Sequence, residues 1–134
     1  YVSIPNKNIY ELPKNLDIKE APIAEPTAVA LHAVELSEKE FLKPLNNSKV
    51  LIIGGGAIGL LCGLILSKIK NCKEIVISDP NIKRLKECSK YLDATSIKPD
   101  SKSIINDYFD IVFDLVSVGR NSPTFNTRFT PETS

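Results

Sequence analysis

The sequence predicts an α/β fold in which a parallel sheet carries helices on both faces. Apolar runs of strand length occupy residues 50–53, 74–78 and 109–116, and segments with helical spacing of apolar residues separate them. The first run has three β-branched residues in four, which is typical of a central strand buried on both faces. Strands that alternate with helices favour parallel pairing through right-handed crossovers. A chain of 134 residues suffices for one such domain.

The part of the chain before that central strand is predicted to be extended at first and then helical. Residues 1–23 are polar and rich in proline, so we expect extended chain there, with an edge strand near residues 8–12. Pro26 suits the first turn of a helix that runs to Leu36 and is apolar on almost every face, which predicts burial all round. Residues 37–40 (SEKE) resemble a capping box and predict a short second helix.

A glycine-rich turn follows the central strand directly. Gly54, Gly56 and Gly59 form a G-x-G-x-x-G pattern, and residues 57–70 continue as an apolar helix. The first glycine permits a sharp turn, the second lets the backbone approach a pyrophosphate, and the third lets the helix pack closely on the strand. The N-terminus of that helix offers free N–H groups and the positive end of its dipole to the phosphates.

The second strand ends in Asp79, 20 residues after Gly59. A carboxylate at this point can accept hydrogen bonds from both hydroxyls of an adenine ribose, and it disfavours a 2′-phosphate. The turn, both strands, the helix and the acid together predict a Rossmann-type dinucleotide-binding domain with NAD rather than NADP as its cofactor. The alternative interpretation is a glycine-rich turn in another kind of α/β protein.

The alternation of strands and helices continues through four strands and then stops. We expect a helix over residues 82–91, a short third strand over 94–97, a weak helix over 101–108 and a fourth strand over 109–116. No strand is predicted beyond the fourth, so the sheet is interpreted as truncated there. The predicted divisions are a linker with a buried helix (1–48), an incomplete dinucleotide-binding domain (49–119) and an unplaced tail (120–134).

Composition and charge argue against several kinds of partner. A net charge of +1 gives no electrostatic footprint for nucleic acid or an anionic membrane. No apolar run reaches the roughly 18 residues that a membrane span needs. We expect a cytoplasmic protein, because no basic and then apolar leader opens the sequence. Cys62, Cys72 and Cys88 match no zinc or redox spacing, so reduced thiols and no metal site in this chain are predicted.

Two motifs make the sequence similar to a known family. Residues 25–34 (EPTAVALHAV) and 50–61 (VLIIGGGAIGLL), with Asp79 and Arg84 after the second strand, resemble the zinc-dependent medium-chain dehydrogenase/reductase family, in particular its polyol or sorbitol-type branch. The resemblance covers about residues 9–119. It implies the NAD-binding portion of an alcohol or polyol dehydrogenase, an enzyme that moves a hydride between a secondary alcohol and NAD.

The resemblance also implies roles for individual residues. The three turn glycines would hold the pyrophosphate, with Ala57 and Ile58 against the cofactor. Asp79 would bind the adenosine ribose, and Arg84 would cover the adenine. Val116 would lie near the nicotinamide ribose.

Glu25 would lie near the catalytic zinc of the intact enzyme. The zinc ligands of the family lie upstream of the matched region, so we expect the chain alone to be inactive and its alcohol or polyol substrate to be bound only by the intact enzyme. The fourth strand would leave an open sheet edge, which predicts a homo-oligomer.

Simpler roles compete with the functional ones. Glu25 would also complement the dipole of the helix that it begins. His32, the only histidine, is predicted to be a packed core residue rather than a general base. Arg84 also fits an ordinary solvated helix face. Asp110 and Asp114 are interpreted as strand-end residues, because no cleft would give them separate acid and base roles.

Two other functions stay open at the level of sequence. A non-enzymatic nucleotide-sensing module would carry the same turn and acid, but it would ordinarily begin near Lys49 without the preceding helix. A truncated product without activity would fit a tail that matches no element of the family.

Overall fold

The computed structural model describes residues 2–41, 43–97 and 108–116. Its regular elements are α1 (Ala24–Glu40), β1 (Lys49–Ile53), α2 (Ala57–Lys68), β2 (Glu74–Ser78), α3 (Ile82–Tyr91), β3 (Thr95–Ile97) and β4 (Ile111–Asp114), with 3₁₀ turns at Asn6–Asn8, Ala21–Ile23 and Leu45–Asn47. The four strands form one parallel sheet in the order β3-β2-β1-β4. The predicted α/β fold with a parallel sheet is confirmed.

β1 is the central strand because its side chains are apolar on both faces. Val50, Leu51 and Ile52 are all buried, and Ile52 pairs with Ile77 of β2 and Phe113 of β4. All strands run in the same direction, so their C-terminal ends meet at one edge of the sheet and their N-terminal ends at the other. We call these the carboxyl edge and the amino edge. The chain leaves β1 for α2 at the carboxyl edge.

α1 is longer and less buried than predicted. The helix continues past Ser37, whose hydroxyl donates a hydrogen bond to the carbonyl oxygen of Val34 at 2.8 Å, so the predicted second helix is wrong. Ala30 and Val34 are buried, whereas Val29 and Leu36 are each 50% exposed. The expectation of burial all round is also wrong for the described residues, because α1 buries a single stripe.

His32 is exposed to solvent. The prediction of a packed core histidine is wrong, because the buried stripe of α1 consists of residues four apart, Ala30 and Val34. His32 lies midway between them in sequence, which turns it to the opposite side of the helix.

α1 packs alongside α2 and runs in the same direction. Cys62 Sγ lies 3.9 Å from the carbonyl oxygen of Ala30, and Lys70 Nζ pairs with Glu38 Oε2 at 2.6 Å. Both contacts join residues 32 positions apart, one within α2 and one just past its end, so the two helices run side by side with one offset in sequence. The same offset brings Glu25 level with the first turn of α2, at the carboxyl edge.

Other predictions differ from the structure or lie outside it. No strand forms near residues 8–12 of the described chain, where Tyr10 is 87% exposed, so the predicted edge strand is wrong; β3 and β4 are the outer strands of the described sheet. Both of these strands are shorter than predicted. Residues 101–107 of the predicted weak helix and the whole stretch 117–134, with its predicted tail, lie outside the described residues.

Candidate functional site

A sharp turn at Gly54 carries the chain from β1 towards α2. Gly54 has a φ of +104°, a left-handed conformation that residues with side chains rarely adopt. Its N–H donates a hydrogen bond to the carbonyl oxygen of Ser78 at 2.8 Å, which extends the β1–β2 pairing by one residue. A Cβ at Gly54 would also lie 3.2 Å from Val116 Cγ2. Glycine is therefore required at this point, and Val116 lies beside the turn.

Close packing explains the third glycine of the motif. A Cβ on Gly59 would collide with the carbonyl oxygen of Gly54, which is backbone and has little freedom to move. The first turn of α2 therefore lies directly against the glycine turn, as the motif predicts.

Gly56 faces open space instead. It is the N-cap residue of α2 with a φ of −76°, which suits any residue, and no described atom beyond its chain neighbours comes within 4 Å of a Cβ built on it. The N–H of Leu60 donates to the carbonyl oxygen of Gly56 at 2.9 Å. The N–H groups at Ala57, Ile58 and Gly59 precede that bond and have no acceptor within the helix. Such a helix N-terminus is suited to binding an anion.

Asp79 lies beneath the turn, directly after β2. It is 1% exposed, and its carboxylate accepts hydrogen bonds from the N–H of Gly55 at 2.8 Å and the N–H of Asn81 at 2.7 Å. Arg84 Nη1 lies 3.6 Å from the same carboxylate, although the Arg84 side chain is 59% exposed. A carboxylate has about four lone-pair positions, so about two stay available for further donors. Asp79 therefore joins the turn to the start of α3, and at 1% exposure its remaining lone pairs are covered in the free chain.

The structure adds Cys88, which sequence reasoning missed as a site residue. Its thiol donates a hydrogen bond to the carbonyl oxygen of Gly55 at 3.6 Å, and the residue is 1% exposed. Burial, and then the nearby charge of Asp79, raises the pKa of this thiol. The helical period of α3 places Cys88 on the buried face, but no signal in the sequence indicates contact with a residue 33 positions earlier.

The residues that the motif and the resemblance indicate lie at the carboxyl edge. Those around the turn and α2 are Gly54, Gly56, Ala57, Ile58, Gly59, Asp79, Arg84 and Val116. Glu25 is exposed in the first turn of α1, level with the first turn of α2 and hence at the same edge. Among the described residues, no side chain forms a hydrogen bond or ion pair with Glu25.

Asp110 lies at the amino edge, far along the sheet from the turn. Its carboxylate accepts hydrogen bonds from the N–H of Lys49 at 2.8 Å and from Lys43 Nζ at 2.9 Å. The bond from the Lys49 N–H, and then the bond from Lys43, lowers the pKa of Asp110 below its ordinary value. Asp114 accepts a hydrogen bond from the N–H of Val116 at 3.3 Å. The two aspartates serve opposite ends of β4, which agrees with the predicted strand-end roles.

The described residues contain no group of three or more His, Cys, Asp or Glu side chains that could hold a metal ion. Cys62, Cys72 and Cys88 are all free thiols. Within the same described ranges, no helix has both the length and the apolar character needed to cross a bilayer.

The fold and the glycine turn define a Rossmann-type domain. No protein-family model matches the chain. Among solved structures, an alcohol dehydrogenase from Escherichia coli CFT073, complexed with NADH, is similar with a TM-score of 0.64 and 25% identity, over 74% of this chain and 28% of that one.

Curated relatives with similar sequences are also dehydrogenases or reductases of alcohols and polyols. The chain is 38% identical over 85 residues to an uncharacterised zinc-type alcohol dehydrogenase-like protein, YdjJ, of Escherichia coli K12, which is 63% of this chain and 23% of the relative. It is 30% identical over 112 residues to D-xylulose reductase A of Aspergillus oryzae, which is 84% of this chain and 30% of the relative. The predicted resemblance to zinc-type alcohol and polyol dehydrogenases is confirmed, and the chain spans less than a third of the length of either relative.

Proposed function

We propose that the chain is the NAD-binding portion of a zinc-dependent alcohol or polyol dehydrogenase. In the intact enzyme it would hold NAD while a hydride passes between a secondary alcohol and the nicotinamide. The observation that carries this proposal is the open space at Gly56, at the N-terminus of α2, next to two glycines that are closely packed. A side chain at Gly56 would fill the space that a pyrophosphate needs.

The residues around that space suit the parts of a dinucleotide. The pyrophosphate would accept hydrogen bonds from the N–H groups at Ala57 and Ile58, where the helix dipole also favours negative charge. Asp79 would accept hydrogen bonds from the adenosine ribose with its remaining lone pairs once the exposed Arg84 side chain, which lies against that carboxylate, moves to cover the adenine. Val116 would contact the nicotinamide ribose, because it lies beside the first glycine of the turn.

Charge supports NAD over NADP. A 2′-phosphate would stand next to the Asp79 carboxylate, and two anions at that distance repel each other. Arg84 Nη1, 3.6 Å from the same carboxylate, offsets part of that repulsion, but its side chain is 59% exposed and solvent screens its charge, whereas the Asp79 side chain is buried. We therefore propose NAD as the preferred cofactor.

Zinc does not fit the described residues, which offer no set of metal ligands. We propose that Glu25 lies near the zinc site of the intact enzyme, a role supported by its place at the carboxyl edge, level with α2. The ligands themselves would come from elsewhere in the enzyme. The chain alone is accordingly proposed to be inactive, and the alcohol or polyol would be bound by the intact enzyme.

The remaining assignments are proposals of the same kind. Residues 49–119 would be the nucleotide-binding portion, residues 1–48 would connect it to a catalytic part, and the tail from residue 120 has no assigned role. A homo-oligomer is supported by β4, an outer strand of the described sheet. A location in the cytoplasm is supported by the three free cysteines.

The test is a titration of the chain with NADH and NADPH, with Gly56→Ala as the variant. We expect the wild type to prefer NADH. Gly56→Ala should weaken NADH binding by roughly tenfold or more, because its methyl group enters the pyrophosphate space. Its midpoint of urea unfolding should stay unchanged, because the methyl group meets no described atom in the free chain.

The matched control is Gly55→Ala, which adds the same methyl group one residue earlier. That Cβ would lie 3.4 Å from Cys88 Sγ and 3.5 Å from Asp79 Cβ, both ordinary contact distances. We expect it to weaken NADH binding clearly less than Gly56→Ala does, because its methyl group contacts Cys88 and Asp79 and does not enter the pyrophosphate space. The proposed function is wrong if the wild type binds neither nucleotide, or if Gly56→Ala binds NADH as well as Gly55→Ala does.

A further inference from the structure

We propose that Cys88 is a positioning residue of the glycine turn. Together with Asp79 it fixes the peptide groups of Gly55, and through Gly55 it sets the direction of the N–H groups that begin α2. Cys88 acts through the backbone, because it does not reach the open space at Gly56. The inference rests on the dinucleotide-binding function proposed above and adds to that site a residue outside the motif.

Gly55 is held differently from its neighbours in the turn. Gly54 is fixed by its left-handed conformation and its bond to Ser78, and Gly59 by backbone contact with Gly54. Gly55 has no left-handed φ, and a Cβ on it would meet only ordinary contacts, the nearest of them at 3.4 Å. Hydrogen bonds, rather than steric limits, therefore determine how Gly55 is oriented.

Both polar groups of Gly55 are bound by buried side chains. Its N–H donates to Asp79 Oδ2 at 2.8 Å, and its carbonyl oxygen accepts from the thiol of Cys88 at 3.6 Å. Asp79 and Cys88 are each 1% exposed, so water does not compete for either bond. Gly55 is thus held from the end of β2 on one side and from α3 on the other.

The orientation of Gly55 matters because the next residue, Gly56, is the N-cap of α2. Rotation of the Gly55 peptide would redirect Gly56 and the free N–H groups that follow it. A binding site that is already ordered before the ligand arrives avoids the cost of ordering on binding. A thiol is a weak donor, so its loss should weaken binding several-fold rather than abolish it.

The experiment compares three variants of the full chain with the wild type. Cys88→Ala removes the donor, and Cys88→Ser keeps a donor in a smaller side chain. Cys62→Ala is the matched control, because Cys62 is equally buried but its thiol contacts the carbonyl oxygen of Ala30 in α1 and not that of Gly55. Three quantities are measured for each protein: the free energy of unfolding in urea, the Kd for NADH, and the hydrogen-exchange rate of the Gly55 N–H.

We expect Cys88→Ala to raise the Kd for NADH roughly three- to tenfold and to speed exchange of the Gly55 N–H by more than the change in global stability explains. Cys88→Ser should lie between Cys88→Ala and the wild type in both quantities, although it is also destabilised. Cys62→Ala should lose stability while its Kd and its Gly55 exchange, corrected for that loss, stay at the wild-type values.

The proposal is overturned if Cys88→Ala and Cys62→Ala have the same corrected exchange rate at Gly55, or if Cys88→Ala binds NADH as tightly as the wild type. If the wild type binds no NADH, the dinucleotide function fails, and the exchange rates still decide whether Cys88 holds the turn. Faster corrected exchange in Cys88→Ala than in Cys62→Ala would support the positioning role in that case.

Discussion

Two aspartates stabilise the two edges of one sheet by similar contacts. At the carboxyl edge Asp79 accepts hydrogen bonds from two backbone N–H groups, and at the amino edge Asp110 accepts one from the Lys49 N–H and one from Lys43 Nζ. All four bonds are between 2.7 and 2.9 Å long. The side chains differ in exposure, at 2% for Asp79 and 26% for Asp110.

That difference in burial decides what each contact contributes to stability. If Asp79 is removed, the buried N–H of Gly55 is left without an acceptor, and the cost of keeping that group away from water is no longer offset by a hydrogen bond. If Asp110 is removed, water can reach Lys49 and Lys43 and replace much of the interaction. Bond length alone therefore does not rank these contacts, and the carboxyl edge should be far more sensitive to substitution than the amino edge.

The largest expected effect is that of Asp79→Ala. It should lower the free energy of unfolding by roughly 3 kcal/mol, because two hydrogen bonds to a buried charged group are lost. The measurement is the midpoint of urea unfolding at constant m value. Asp110→Ala is the matched control, with a loss of about 1 kcal/mol or less for a partly exposed pair. Equal losses in the two variants would contradict the ranking of the edges.

A smaller effect is the acid dependence of the Asp110 contact. Its pKa is lowered in the folded chain by the Lys49 N–H and then by Lys43, so its contribution is fully present above the ordinary value of 3.8. The contribution is lost as the pH falls through the lowered folded pKa. The difference in unfolding free energy between wild type and Asp110→Asn should therefore be constant near neutral pH and shrink below pH 3.8. A difference that grows on acidification would show that the pKa is not lowered.

The smallest effect is expected for Tyr108→Phe, also at the amino edge. The Tyr108 hydroxyl donates to both carboxylate oxygens of Glu74, at 3.0 and 2.8 Å, and the ring lies 3.9 Å from Lys49 Nζ. Phenylalanine keeps the ring, and Tyr108 is 36% exposed, so the urea midpoint should not change measurably.

The same contact also affects the titration of Tyr108. The bond to Glu74 raises the pKa of Tyr108, and ultraviolet titration of Glu74→Gln should show that this pKa moves back down.

The parts of the fold that the sequence predicted are those with strong local patterns. β1 and β2 are apolar runs bounded by polar residues, and the turn at Gly54 is marked by glycines, so their places follow from neighbours in sequence. The predicted helix start at Ser37 is wrong because its local pattern fits two different structures. A serine three residues before an acid also fits the middle of a helix, where its hydroxyl bonds to the preceding turn.

The candidate site was predictable only as far as its motif. Gly54, Gly56, Gly59 and Asp79 follow a spacing that the chemistry of a pyrophosphate and a ribose requires. The contact of Cys88 with Gly55 depends instead on how α3 packs on the turn, and such packing is set by the whole core. Exposure of His32 was missed because a run of apolar neighbours does not indicate which face of a helix the core covers.

The strand order also implies an order of events in folding. β1, α2 and β2 are consecutive in the chain, whereas the contact of β4 with β1 begins at Lys49 and Asp110, which are 61 residues apart. Closing the longer loop costs more chain entropy and slows the pairing that depends on it. We therefore expect the glycine turn and its helix to form against β2 first, with β4 joining the other side of β1 as the later step.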